Sequence, residues 1–118
     1  MILVDTSVWV DHLRRGNARL ERLLNDALIL VHPFVVGELA LGGLKKRSEI
    51  LGLLEEMPSA EAASHDEALE FVNRHGLAGS GVSWVDVHLL VSAALTGASL
   101  WTLDRRLAAA AGRLALSA

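Results

Sequence analysis

The chain has 118 residues, no cysteine and a formal charge of −3, with 52% hydrophobic and 21% charged residues. That length suits one domain around one core (residues 1–118), and the lack of cysteine excludes disulfide scaffolds, cysteine zinc sites and thiol nucleophiles. No apolar run approaches the ~20 residues of a membrane span, and Asp5 interrupts the short apolar opening before it resembles a signal peptide, so a cytoplasmic protein is expected.

Ile2, Leu3 and Val4 form a short apolar run that ends at Asp5-Thr6-Ser7. It reads as a buried strand followed by residues that start helices. Ser7 to Arg15 then reads as a helix stopped by Gly16. In Asn17–Ala27, Leu20, Leu23, Leu24 and Ala27 recur at helical spacing while Arg19, Glu21, Arg22 and Asp26 face away. Leu28 to Val31 is a second buried strand. Pro33 suits the first turn of a helix that carries Glu38 and breaks at Gly42-Gly43. Leu44–Met57 is a further amphipathic helix, closed by Pro58. Glu61-Ala62-Ala63 is read as a short third strand. Ser64 is the expected cap of a helix from His65 to His75. After a glycine-rich loop, Ser83–Leu95 is apolar nearly all round and belongs at the centre. Ser99–Leu103 is a strand, Asp104 starts a helix to Ala111, and Leu114–Leu116 is read as a last edge strand. Strands alternating with helices imply parallel pairing and right-handed crossovers. The expected fold is a three-layer α/β domain, with a central parallel sheet of four to five strands flanked by helices.

Most of the fourteen acids lie on polar helix faces and need no explanation beyond solvation. Four sit in apolar company: Asp5 after Ile-Leu-Val, Glu38 in Val-Val-Gly-Glu-Leu, Asp86 in Trp-Val-Asp-Val-His, and Asp104 after Trp-Thr-Leu. A carboxylate near a core is costly unless it is paired, hydrogen-bonded or bound to a cation. Each has an ordinary structural explanation. Asp5 and Asp104 suit helix caps, Asp86 lies three residues after Ser83 as in a capping box, and Glu38 suits a buried arginine. Taken together they suggest more. In a parallel sheet Asp5 and Asp104 stand at strand carboxyl ends, where α/β folds place their sites. Glu38 follows the second strand, and Asp86 reaches the same edge from the first turn of its helix. Four converging carboxylates repel one another unless cations neutralise them. Hard oxygen donors suit Mg²⁺ or Mn²⁺, which activate water and screen a phosphodiester. The five histidines are scattered without metal-ligand spacing, so zinc is disfavoured.

Leu3-Val4-Asp5-Thr6-Ser7-Val8-Trp9, Val36-Gly37-Glu38-Leu39, Val85-Asp86-Val87-His88-Leu89-Leu90 and Leu100-Trp101-Thr102-Leu103-Asp104-Arg105-Arg106-Leu107 occur in that order along the chain. Together they resemble the PIN-domain ribonucleases, and within them the VapC toxins of bacterial toxin–antitoxin pairs. The resemblance covers essentially the whole chain as a single PIN domain. It implies an endoribonuclease dependent on Mg²⁺ or Mn²⁺, acting on tRNA or rRNA. It also implies a homodimer and a VapB-type antitoxin that covers the active site. Asp5, Glu38, Asp86 and Asp104 correspond to the acidic quartet, with Asp5, Asp86 and Asp104 as metal ligands and Glu38 ligating or orienting water. Thr6 and Thr102 correspond to supporting hydroxyls. Many relatives carry a further acid or an aromatic shortly after the last Asp, where this chain has Arg105, Arg106 and Leu107.

Arg105 and Arg106 adjoin a proposed ligand and are candidate RNA contacts. Arg14 and Arg15, in a basic group with Arg19 and Arg22, are further candidates, and Lys45-Lys46-Arg47 forms another cluster. Trp9, Trp84 and Trp101 have faces on which bases can stack, although core packing suits Trp101 better. His88 reads as a core or interface residue. A phosphoaspartyl hydrolase would need an acid where Ser7 stands, and a receiver domain would need paired acids after the first strand. A catalytically silent PIN-like binding module is the remaining alternative, and it predicts the loss of an acid that this chain retains. Setting aside the four acids leaves the rest of the molecule one unit positive, so the overall acidity is compatible with an RNA partner.

Overall fold

The computed structural model describes residues 1–118. Three short strands, β1 (Ile2–Val4), β2 (Ile29–Leu30) and β3 (Ser99–Trp101), form a parallel sheet in the order β2-β1-β3. Leu3 stands between Leu30 and Leu100, and Val4 pairs with Trp101. Seven helices surround the sheet: α1 (Thr6–Arg15), α2 (Ala18–Asn25), α3 (Pro33–Leu41), α4 (Arg47–Glu56), α5 (His65–His75), α6 (Trp84–Thr96) and α7 (Arg105–Arg113).

The sheet has three strands rather than four to five, and two isolated bridges account for the difference. Val31 bridges Ser59 and Leu100 bridges Ser117, both in parallel. The strand expected at Glu61–Ala63 does not form. Pairing with Val31 runs through the Pro58 carbonyl and the Ala60 N–H, after which the Glu61 N–H donates to Thr96 Oγ1 and leaves the ladder. Likewise Leu100 bonds to Leu116 and Ala118 but gains no longer partner. Helix α4 starts at Arg47 rather than Leu44 because Lys46 adopts a left-handed conformation, φ 54°, which an L-residue helix cannot contain.

The short strands are held by what they bury. Leu3, Val4, Val8, Leu20, Leu89, Leu90 and Leu107 have no exposed surface. Helix α6 contributes seven consecutive buried residues from Val87 to Ala93, as its all-round apolar sequence requires. Leu89→Ala should cost about 3 kcal/mol of unfolding free energy in a urea titration, since the cavity would lie between fixed elements. A loss under 1 kcal/mol would mean that the centre is loosely packed.

The topology also locates a crevice. From β1 the chain crosses first to β2 on one side and later to β3 on the other. The order therefore reverses at β1, and the gap outside its carboxyl end is where α/β sheets take ligands. Asp5 is the first residue past that end, and its N–H donates to the Trp101 carbonyl at 2.9 Å.

Candidate active site

Asp5 is 7% exposed, one of four buried polar residues. It precedes α1 but makes no side-chain cap hydrogen bond. Its Oδ2 instead accepts from Ser7 Oγ and from Thr102 Oγ1, each at 2.7 Å. Ser7 Oγ accepts in turn from the Leu103 N–H, and Thr102 Oγ1 from the Asp104 N–H, both at 3.0 Å. Two hydroxyls thus bind the end of β1 to the turn after β3 and fix one carboxylate oxygen. The sequence points to Thr102 as a supporting hydroxyl and to Ser7 as a helix starter; the structure gives Ser7 the same contact with Asp5 that Thr102 makes.

Asp104 caps α7, with Oδ1 accepting from the Leu107 N–H at 2.9 Å. Asp86 forms a capping box at the start of α6: Oδ2 accepts from the Ser83 N–H, and the Asp86 N–H donates to Ser83 Oγ. Both acids therefore have the structural duties considered for them, and both retain an oxygen without a protein donor. Burial pushes the Asp86 carboxyl above its ordinary range, and the charges of Asp5 and Asp104 push it the same way, against the pull of Ser83. Asp5 and Asp104 each lie within electrostatic reach of Asp86. No cation pairs with them, since the one ion pair in the molecule joins Arg15 to Asp11.

Glu38, on α3, stands to one side. Its Oε1 accepts from Thr6 Oγ1 at 2.6 Å, next to Asp5 in the chain. Glu38 and Thr6 line a cavity of about 390 Å³ with Arg14 and Lys45 at its edge and Val10, Leu13, Leu39 and Ile50 among its walls. The four acids thus border one edge of the sheet, with Asp5 and Asp104 both acting on Asp86 and Glu38 joined through Thr6. They do not form a closed cage, as no three acid or histidine side chains gather around one point.

The donor set suits a hard divalent cation. Asp5, Glu38, Asp86 and Asp104 each have one oxygen held by a hydroxyl or N–H, and each has a second oxygen that accepts no protein hydrogen bond. Oxygen-only donors with places left for water match Mg²⁺ or Mn²⁺ rather than zinc.

The other candidates separate clearly. Arg15 is tied to Asp11, while Arg19 lies over the buried Trp101 ring at 4.3 Å, so Trp101 is a core residue whose ring face is covered. Trp9 is buried as well, whereas Trp84 is 40% exposed. His88 is buried between Phe34 and Trp84. A second buried histidine escaped the sequence reading. His32 caps α3, its Nδ1 accepting from the Phe34 N–H. Its Nε2 therefore carries the proton and donates to Ser92 Oγ at 3.1 Å. Burial, aided by His88, lowers its pKa to about 4.

The chain belongs to the PIN-domain family, whose model matches residues 2–113. Its relatives include Ribonuclease VapC32 of Mycobacterium tuberculosis, in strains CDC 1551 / Oshkosh and H37Rv, at 51% identity over 93% of this chain and 90% of the relative. The fold also matches the crystal structure of PAE2754 from Pyrobaculum aerophilum with a TM-score of 0.62. That match covers 97% of this chain and 88% of the other at 20% identity, so it speaks to the fold alone.

Proposed function

We propose that this protein is a metal-dependent endoribonuclease and the toxin of a toxin–antitoxin pair. The observation that carries the reading is that Asp86 lies within the fields of Asp5 and Asp104 at the carboxyl edge of the sheet, each acid with one oxygen fixed and one left to coordinate. The PIN family and the likeness to a protein named Ribonuclease VapC32 support it.

In this mechanism Asp5, Asp86 and Asp104 would hold the cation, directly or through water. Mg²⁺ or Mn²⁺, when bound, would supply a more acidic water and a counter-charge for the phosphodiester. Ser7 and Thr102 keep Asp5 from turning away as substrate enters. Glu38, fixed by Thr6, would orient the attacking water or hold a second cation. Hydrolysis leaves a 5′-phosphate and a 3′-hydroxyl on tRNA or rRNA fragments. The protein acts in the cytoplasm, as a homodimer, and no helix is long and apolar enough to cross a membrane.

A VapB-type antitoxin is the proposed partner. A groove of about 430 Å³, lined by Trp9, Leu24, Leu53 and Met57, shares Leu13 and Ile50 with the cavity beside Glu38. The buried Trp9 indole N–H has no acceptor within the chain. An apolar segment laid in this groove would lead on to Glu38.

Structured RNA incubated with the purified protein should be cut with Mg²⁺ or Mn²⁺, and cutting should stop with EDTA and resume when the metal is restored. Equal cutting with and without EDTA would reject the metal mechanism. No cutting of varied tRNA and rRNA substrates would favour a silent binding module.

A further inference from the structure

Helix α7 continues away from Asp104, and its Arg105, Arg106, Ala109 and Arg113 line a concavity of about 430 Å³ together with Gly76 and Ser80. All three arginines are exposed, and none pairs with an acid. Three exposed guanidinium groups lining one hollow with no acid among its residues leave its charge to an outside anion.

The position of the hollow makes that anion a phosphate chain. Arg105 follows Asp104 directly. Ser80, also on the lining, belongs to the loop that runs on through Gly81 to Ser83, whose N–H holds Asp86. The hollow is therefore joined through the chain to two of the carboxylates. Gly81 has φ +86°, and a Cβ there would lie 2.9 Å from Arg106 Cδ, so a glycine lets the arginine lie against the loop. Arg105 and Arg113 are eight residues apart, about 12 Å along the helix at 1.5 Å per residue. That span exceeds a single phosphate and suits a strand of them. Ser80 adds a hydroxyl donor to the same lining.

We infer that this concavity binds the backbone phosphates of the RNA strand on the α7 side of the scissile bond. The inference rests on the nuclease reading and extends it to the path of the substrate. Arg113 is a binding residue, away from the reacting atoms. Guanidinium-to-phosphate contacts of this kind position a strand without reading its bases.

The test measures binding of a labelled single-stranded RNA oligonucleotide to the full-length Asp5→Asn protein, with Mg²⁺ present, over a range of salt. Each phosphate neutralised on a single strand contributes about 0.7 to the slope of log affinity against log salt. The added triple variant Arg105→Ala, Arg106→Ala and Arg113→Ala should flatten the slope by about 2, and Arg113→Ala alone by about 0.7. Arg113→Lys should restore the slope, since charge and not packing is at issue. In the cutting protein Arg113→Ala should raise KM with kcat unchanged. An unchanged slope in the triple variant overturns the inference. So does an unchanged slope accompanied by weaker capture of purified antitoxin, which would make the hollow a protein-docking surface. The slope is read on binding alone, so a failure of RNA cutting in the wild-type protein counts against the nuclease reading separately.

Discussion

Asp5→Asn is expected to reduce Mg²⁺-dependent RNA cleavage by on the order of 10³ while leaving the fold intact. The substitution is nearly isosteric. The asparagine carbonyl can accept from Ser7 Oγ and Thr102 Oγ1 as Oδ2 does, so the ties from β1 to the turn after β3 survive. What changes is the oxygen with no protein donor, which becomes an uncharged amide that presents hydrogens to a cation. The loss should therefore fall on metal affinity and rate together, with the far-ultraviolet spectrum and thermal melt close to wild type. Ser7→Ala provides the graded comparison. It keeps the carboxylate and removes one of its two restraints, for an expected loss of about 10- to 100-fold. Wild-type cleavage by Asp5→Asn would remove Asp5 from the mechanism. A variant that melts far below wild type would mean that the charge itself holds the turn.

Acidification should destabilise the protein through His32, by about 3 kcal/mol once the pH falls below 4. The folded pKa is about 4 against an ordinary 6.5, so between those values the unfolded chain binds a proton that the folded one refuses. Stability is present in full above pH 6.5 and is lost as the pH falls toward 4. The refusal has a structural cause. His32 is 1% exposed, and its Nδ1 is already occupied as the acceptor that caps α3. Protonation would break that cap and bury a charge. Asp86 acts in the opposite sense near the acid end of the range, because its raised pKa makes the folded form the better proton acceptor there. His32→Asn isolates the effect. Asparagine can cap the Phe34 N–H through Oδ1 and does not titrate. Urea unfolding of this variant should show a much shallower decline between pH 6.5 and 4. The same decline as wild type would assign the acid sensitivity elsewhere.

The positions of the four acids were legible because each interrupts an apolar run, and an acid there must end a strand or begin a helix. The same logic placed Asp104 as a cap, the Ser83–Asp86 pair as a capping box and His65–His75 as a helix. Ser7 was not legible as a restraint on the site. Its hydroxyl partners beyond Asp5 are Thr102 and the Leu103 N–H, 95 and 96 residues away, and no local pattern announces them. His32 was hidden for a related reason. Next to Pro33 it reads as strand-end punctuation, and its burial depends on Ser92, sixty residues on. The extra strands failed where single backbone groups chose other partners, as at Glu61. The place of Glu38 on a cavity that none of the other three acids lines was equally beyond the pattern, since α3 sets it there.

Asp5 directly precedes α1, Asp86 lies in the first turn of α6, and Asp104 directly precedes α7. Three helices thus begin at the same edge of the sheet, and each carries roughly half a positive charge at its start from its aligned peptide dipoles. The fold itself therefore supplies a standing positive field where its carboxylates crowd together. That field offsets part of their mutual repulsion before any ion arrives. The chain can complete its folding with the acids in place, so that in the proposed mechanism a cation would govern activity rather than the existence of the fold.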